Sequence, residues 1–176
     1  MRMASFNKSS VFIKLSSADR GASGKTVGLP EAADIPSLLA RQSQIVNRKS
    51  HMILGTGIDI IEVARVQASY ERFGDRFLNR ILHPDEIAYC LTHKHPGPFL
   101  AARFAAKEAI SKAFGTGIGA QLGWQDMEVR RKESGEPYVV LHGKGKKLFR
   151  SRRAKRLLIS LSHTVHYAAA TAILER

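Results

Sequence analysis

Apolar residues gather into regular patterns from residue 52 onward, and the spacing of those patterns changes along the chain. Ile53 to Ile61 is an apolar, β-branched run that predicts a strand in spite of Gly55 and Gly57. From Glu62 to Arg72 the period lengthens, with Val63, Val66 and Tyr70 on one helical stripe, and a second short helix is expected around Phe77 to Leu82. His83-Pro84-Asp85-Glu86 opens a further helix, with proline in its first turn and acids facing the positive end of the dipole; it should run to about His93. Leu100 to Phe114 is rich in alanine, leucine and lysine, lacks internal glycine or proline, and stops at Gly115, which predicts a helix. Strand signals then return. Trp124 to Arg130 and Tyr138 to His142 flank Glu133-Ser134-Gly135-Glu136-Pro137, a hairpin signal, and Leu157 to Leu161 and Tyr167 to Leu174 form a second pair across Ser162 to His166. One strand, several helices and then a run of strands predict an α+β fold, with an antiparallel sheet packed around a central helix.

Residues 1 to 51 have a different texture. They contain Ser9, Ser10, Ser16, Ser17, Gly21 and Gly24, carry eight Lys/Arg against three Asp/Glu, and hold no sustained period beyond a short helix over Ile35 to Val46. This segment is expected to be mostly disordered. Its basic, serine-containing composition resembles an organellar transit peptide and equally fits an extension before a start at Met52, the preferred reading. The domain is expected over residues 52 to 176.

Composition bounds the function classes. At 176 residues, with 44% apolar and 24% charged side chains, the chain has an ordinary globular balance. No stretch approaches the roughly 20 apolar residues of a membrane helix, and no secretory signal opens it, so a cytoplasmic protein is expected. The single cysteine, Cys90, excludes an intrachain disulfide and any CxxC site, and reads as a small buried hydrophobe. The net charge of +13 attracts polyanions: nucleic acid, an anionic membrane, a phosphorylated small molecule or an acidic protein. The Lys- and Arg-rich run from Lys144 to Lys155 motivates a competing reading as a nucleic-acid-binding module. Few aromatics and no recognised nucleic-acid motif count against it.

Several residues carry candidate chemistry. Asp59 is a carboxylate inside an apolar strand; it either points outward at a strand end or needs a partner, a metal or water. On the Leu100 to Phe114 helix, Phe104, Glu108 and Lys112 share one face. A carboxylate with a lysine one turn later can hold magnesium beside a phosphate, or can be an ordinary i,i+4 pair. The cluster Gly115-Thr116-Gly117-Ile118-Gly119 follows a helix, so it is neither a dinucleotide nor a Walker loop; it is a phosphate-cupping loop or a helix cap. Ser162-His163-Thr164 lies at a turn, where His163 can meet a phosphate or transfer a proton. His93 and His95 show no convincing zinc spacing. Arg65 and Arg72, seven apart, share a helix face with Arg76 and Arg80 beyond.

The order and spacing of these pieces over residues 52 to 176 closely resemble the holo-acyl-carrier-protein synthases, the small trimeric phosphopantetheinyl transferases. The residues that carry the resemblance are Gly57-Ile58-Asp59-Ile60-Ile61-Glu62, Arg80-Ile81-Leu82 with Glu86 following, and Phe99 through Ala109. Lys112-Ala113-Phe114-Gly115-Thr116-Gly117-Ile118-Gly119 and Ile159-Ser160-Leu161-Ser162-His163-Thr164 complete it. The resemblance implies transfer of 4′-phosphopantetheine from coenzyme A to a serine of an acidic acyl carrier protein, in fatty acid biosynthesis. It makes Asp59 and Glu108 magnesium ligands and gives Lys112 the neutralisation of a pyrophosphate oxygen or assistance to the leaving group. Gly115, Thr116 and Gly117 would line the nucleotide, His163 and Thr164 would come from a neighbouring subunit of a homotrimer, and Arg103 and Lys107 would be phosphate contacts. Arg65, Arg72 and Arg76 would face the carrier protein.

Overall fold

The computed structural model describes residues 52–176; the extension expected over residues 1 to 51, with its short helix, lies outside them. Strand β1 (Ile53–Glu62) leads directly into helices α1 (Val63–Phe73), α2 (Asp75–Ile81), α3 (Pro84–Leu91) and α4 (Gly97–Ala113). A hairpin of β2 (Met127–Arg131) and β3 (Pro137–Leu141) follows, then helix α5 (Gly143–Ser151) and the pair β4 (Arg156–His163) and β5 (Tyr167–Glu175). The order β1-β5-β4 makes one antiparallel sheet, and β2-β3 a second two-stranded one. The α+β class and the central helix are as the pattern predicts.

Helix α4 forms because alanine, leucine and lysine lose little on helix formation, and it is buried nearly all round. Ala101, Ala102, Ala105, Ala106, Ala109, Ile110 and Ala113 lie in the core. Past its first turn, the positions that are not buried are Phe104, Glu108 and Lys112, one stripe four residues apart. The small alanines let the sheet approach. β5 contributes Ala168, Ala170 and Ala172, all buried, and β1 comes closer still. A Cβ on Gly55 would stand 2.1 Å from the Ala113 carbonyl oxygen, and one on Gly57 would stand 1.9 Å from that of Ala109. Both glycines are therefore required by a backbone-on-backbone contact, and a strand with a side chain at either position could not lie there.

The strand period fixes what each face carries. Gly55, Gly57, Asp59 and Ile61 face α4, while Ile58 and Ile60 point the other way, 67% and 68% exposed. Leu158 of β4 is also exposed. Among the described residues nothing covers this apolar outer face.

Two elements depart from expectation. The hairpin's first strand begins at Met127, because Trp124–Asp126 is a 3₁₀ turn. The basic run from Lys144 is helical: in α5, Leu148 and Phe149 pack against the core while Lys144, Lys146, Lys147 and Arg150 face water. Two glycines and the charge density hide that helix in the sequence. Gly145 is needed there, since a Cβ would stand 2.5 Å from the Asp126 carbonyl oxygen. Cys90 is fully buried, as expected, and burial pushes its thiol up to about 11.

The β1–α4 contact yields a prediction. Gly57→Ala should lower unfolding free energy by about 3 kcal/mol or more, the upper end of overpacking costs. Gly119→Ala, where a Cβ meets nothing within 4 Å, should stay within about 0.5 kcal/mol. Urea unfolding of the two variants checks this.

Candidate active site

Asp59 reaches the site because it shares a face with Gly57, two residues before it on β1. Its carboxylate is 16% exposed and lies 2.8 Å from the Lys112 ammonium, which also donates to the Ile58 carbonyl at 3.0 Å. Glu108, one turn before Lys112 on α4, is half-buried. Burial first, and then the Asp59 charge, raise its carboxyl above the ordinary carboxylate range, with Lys112 pulling the other way. The structure thus joins Asp59, Glu108 and Lys112: two carboxylates that repel each other beside one ammonium. Glu108 carries no hydrogen bond to its carboxylate among the described residues, whereas Asp59 accepts one from Lys112.

The loop beyond α4 is shaped by capping. Gly115 has φ +70°, its N–H donates to the Lys112 carbonyl, and the Thr116 N–H donates back to Ser111. This is the Schellman pattern, in which glycine supplies the left-handed residue that closes a helix. The Arg152 guanidinium donates to the Phe114 carbonyl at 3.0 Å. Gly117, φ +62°, has open space around its α-carbon, and Thr116 donates to the Gly117 carbonyl. Gly115, Thr116 and Gly117 therefore lie one turn past Lys112, on the exposed rim of the same helix end.

His163 and Thr164 stand elsewhere. His163 ends β4, two strands from β1, in register with Ala168 of β5 and through it with Ile61. Within one chain it meets a different set of groups. Its ring packs edge-on against Phe99 at 4.7 Å, in a cavity of about 170 Å³ that Arg103, Tyr89 and Arg131 also line. Burial, then the charges of Arg103, His93 and Arg131, push the imidazole below its ordinary range. Arg103 is 5% exposed and stacks on the Tyr89 ring at 4.4 Å, and its Nε is buried without a partner. Arg131 donates to the Tyr89 hydroxyl. Thr164 closes the β4–β5 turn, its hydroxyl accepting from the N–H groups of His166 and Tyr167. Sequence reasoning did not find Tyr89, Phe99 and Arg131, which come from three separate elements.

Lys107, expected as a phosphate contact, is buried instead. It is 0% exposed and ion-paired to Glu86 at 2.7 Å, with further hydrogen bonds to the carbonyls of Ile81 and Trp124. Burial lowers its affinity for a proton while Glu86 raises it. Glu86 also accepts from the backbone N–H groups of His83 and Val129. Lys107 offers no surface to a phosphate and instead ties α4 to α3 and β2. Its helical position gave a signal: Arg103 and Lys107 lie on the alanine-lined side of α4, away from the Phe104–Glu108–Lys112 stripe.

Arg65 and Arg72 are exposed on α1, and Arg72 stacks on Phe73 at 4.9 Å. The chain turns at Gly74, φ +52°, so Arg76 begins α2 and joins Phe73, Phe77, Ser69 and Arg80 around a groove of about 370 Å³. Arg65 and Arg72 on α1 and Arg76 on α2 are all exposed.

Comparison with known proteins matches residues 55–172 to the model of the 4′-phosphopantetheinyl transferase superfamily. The chain belongs to that superfamily. The transferase is 51% identical to a holo-[acyl-carrier-protein] synthase of Koribacter versatilis over 124 residues, which are 70% of this chain and 99% of that one. Among solved structures, the holo-[acyl-carrier-protein] synthase of Neisseria meningitidis is 31% identical, with a TM-score of 0.66 over 71% of this chain and all of the other. The Helicobacter pylori enzyme, solved in complex with coenzyme A, is 34% identical with a TM-score of 0.61, covering 68% of this chain and 98% of its own. The family match begins within β1 and ends in β5, and the comparisons give no support to the nucleic-acid reading.

The Glu86–Lys107 pair yields the site's prediction. Lys107→Met leaves a buried carboxylate without its cation and should cost about 3–5 kcal/mol, read by thermal and urea unfolding. The coenzyme A KM of the protein that remains folded should be unchanged; a KM effect without destabilisation would restore the phosphate-contact reading.

Proposed function

We propose that this chain transfers the 4′-phosphopantetheine arm of coenzyme A to a serine of apo acyl carrier protein, releasing adenosine 3′,5′-bisphosphate, in fatty acid biosynthesis. The observation that carries this reading is the convergence of Asp59, Glu108 and Lys112 in a chain alignable with nearly the full length of holo-[acyl-carrier-protein] synthases.

The donor set suits magnesium: two carboxylates and no sulfur or imidazole, with the Glu108 carboxyl raised first by burial and then by the Asp59 charge, a repulsion a hard cation would offset. Asp59 and Glu108 would hold the ion. When bound, magnesium supplies charge neutralisation to the coenzyme A pyrophosphate. The Lys112 ammonium, poised at Asp59, swings within its flexible stem to a pyrophosphate oxygen and offsets the charge that builds on the leaving group as the carrier serine attacks the β-phosphate in line. Gly115, Thr116 and Gly117 line the nucleotide from the helix end, where exposed backbone approaches a ligand without side-chain hindrance.

In this reading Arg103, with its buried unpartnered Nε, and His163 of the same cavity, with Thr164 next to it in the chain, form an anion-attracting wall. A homotrimer supplies that wall to the next protomer's carboxylate pair, and the exposed Ile58, Ile60 and Leu158 provide the apolar sheet face for such assembly. Arg65, Arg72 and Arg76 receive the acidic carrier protein, their charge steering its approach. No helix among the described residues is long and apolar enough to cross a membrane, and the proposed location is the cytoplasm.

The test is incubation of the full chain with apo carrier protein, coenzyme A and magnesium. The carrier should gain the mass of one phosphopantetheine group, and a chelator should abolish the gain. Asp59→Asn and Glu108→Gln should each slow transfer by at least about a hundredfold with the fold retained. An unmodified carrier, or near-normal transfer by either variant, would contradict the proposal.

A further inference from the structure

Away from the carboxylate pair, the structure gathers a second set of ligand-type side chains from three distant segments. His83 precedes the first turn of α3, Glu128 lies in β2, and His142 sits between β3 and α5. One ligand atom from each of the three lies within 4.8 Å of the others. We propose that His83, Glu128 and His142 bind a transition-metal ion of the zinc class.

The geometry favours an ion over a plain hydrogen-bonded cluster on three grounds. First, the set is two imidazoles and one carboxylate, the composition of open zinc sites, and imidazole discriminates against magnesium. Second, the rings of His83 and His142 stack at 4.6 Å, which brings two imidazoles from distant segments side by side at one point of the fold. Third, the site is anchored from behind. The Glu128 side chain is 3% exposed, its Oε1 held by the Arg130 Nε at 2.7 Å while its Oε2 faces the His142 Nε2 at 2.8 Å. The His83 Nε2 lies 3.1 Å from the Gln125 carbonyl oxygen, a contact that orients its ring. Such outer partners position ligating side chains.

Tetrahedral ligands about 2.1 Å from zinc stand about 3.4 Å apart, so atoms spread over 4.8 Å close on one ion with shifts of about an ångström. The His142 side chain is 36% exposed, which opens a path for the ion and a fourth position for water. Bound there, the ion cross-links the α2–α3 corner, the β2–β3 hairpin and the start of α5, segments far apart in sequence. Its effect is on stability, separate from transfer.

The test uses the full chain freed of metal by chelation and then given excess magnesium, which occupies the carboxylate pair. Cobalt(II) should bind in one equivalent with the visible absorption of a four-coordinate site, and zinc should displace it and raise the melting temperature by several degrees. His83→Gln and His142→Gln should each weaken zinc binding at least about tenfold, while Glu108→Gln should keep both the absorption and the melting shift. Should a histidine variant not fold, ring NMR of the unaltered chain decides: zinc must move the His83 and His142 resonances and leave those of His163 and His166 in place. No zinc binding, unchanged affinity in the histidine variants, or loss of the absorption in Glu108→Gln would each overturn the proposal.

Discussion

Strand β1 lies on helix α4 with backbone against backbone, and the meeting of Asp59, Glu108 and Lys112 depends on that contact. Without a Cβ at residues 55 and 57, the strand settles onto the carbonyls of Ala109 and Ala113, and the two-residue period then turns Asp59 toward the helix. The helix meets it with the one stripe that its burial leaves open, Phe104, Glu108 and Lys112. A slip of one residue in the strand would send Asp59 to the outer face and drive Ile58 and Ile60 against α4. Packing and the meeting of Asp59 with Lys112 are therefore set by the same register.

Helix α4 carries two lysines, each paired with an acid, and the pairs have opposite consequences. Lys107 and Glu86 are wholly buried, and their hydrogen-bonding capacity is met by two carbonyls and two backbone N–H groups. Such a pair, saturated and dry, fixes how three elements meet. Lys112 and Asp59 are partly exposed, and a second carboxylate, Glu108, stands beside them without a cation of its own. Two acids against one ammonium leave a local excess of negative charge at the mouth of the helix, in a chain whose total is +13. The proposed divalent cation would offset an excess of that sign, and the surrounding positive charge would suit a polyphosphate and an acidic partner.

Much of this was legible in the residues. The spacing of Glu108 and Lys112, the oddity of an aspartate in an apolar strand and the glycine stop after α4 all follow from periodicity and capping rules that act locally. What escaped was set by contacts between distant segments. Lys107 looks like its neighbour Lys112 in sequence, and only the approach of α3 and β2 makes it a buried partner for Glu86. α5 was hidden because Leu148 and Phe149 are its only large apolar anchors among lysines, arginines and two glycines. The pairing of Arg103 with Tyr89, Arg131 and His163, and the meeting of His83, Glu128 and His142, depend on tertiary placement that no local pattern encodes.

The central claim is that Asp59 and Glu108 hold one divalent cation together. Calorimetric titration of magnesium in the presence of coenzyme A, on the unaltered chain, Asp59→Asn, Glu108→Gln and the double variant, tests it most directly. Two ligands of one ion act as a unit, so each single change should remove most of the binding and the double variant should bind scarcely worse than either. Affinity losses that add as independent increments, or a single variant that binds magnesium like the unaltered chain, would contradict the account.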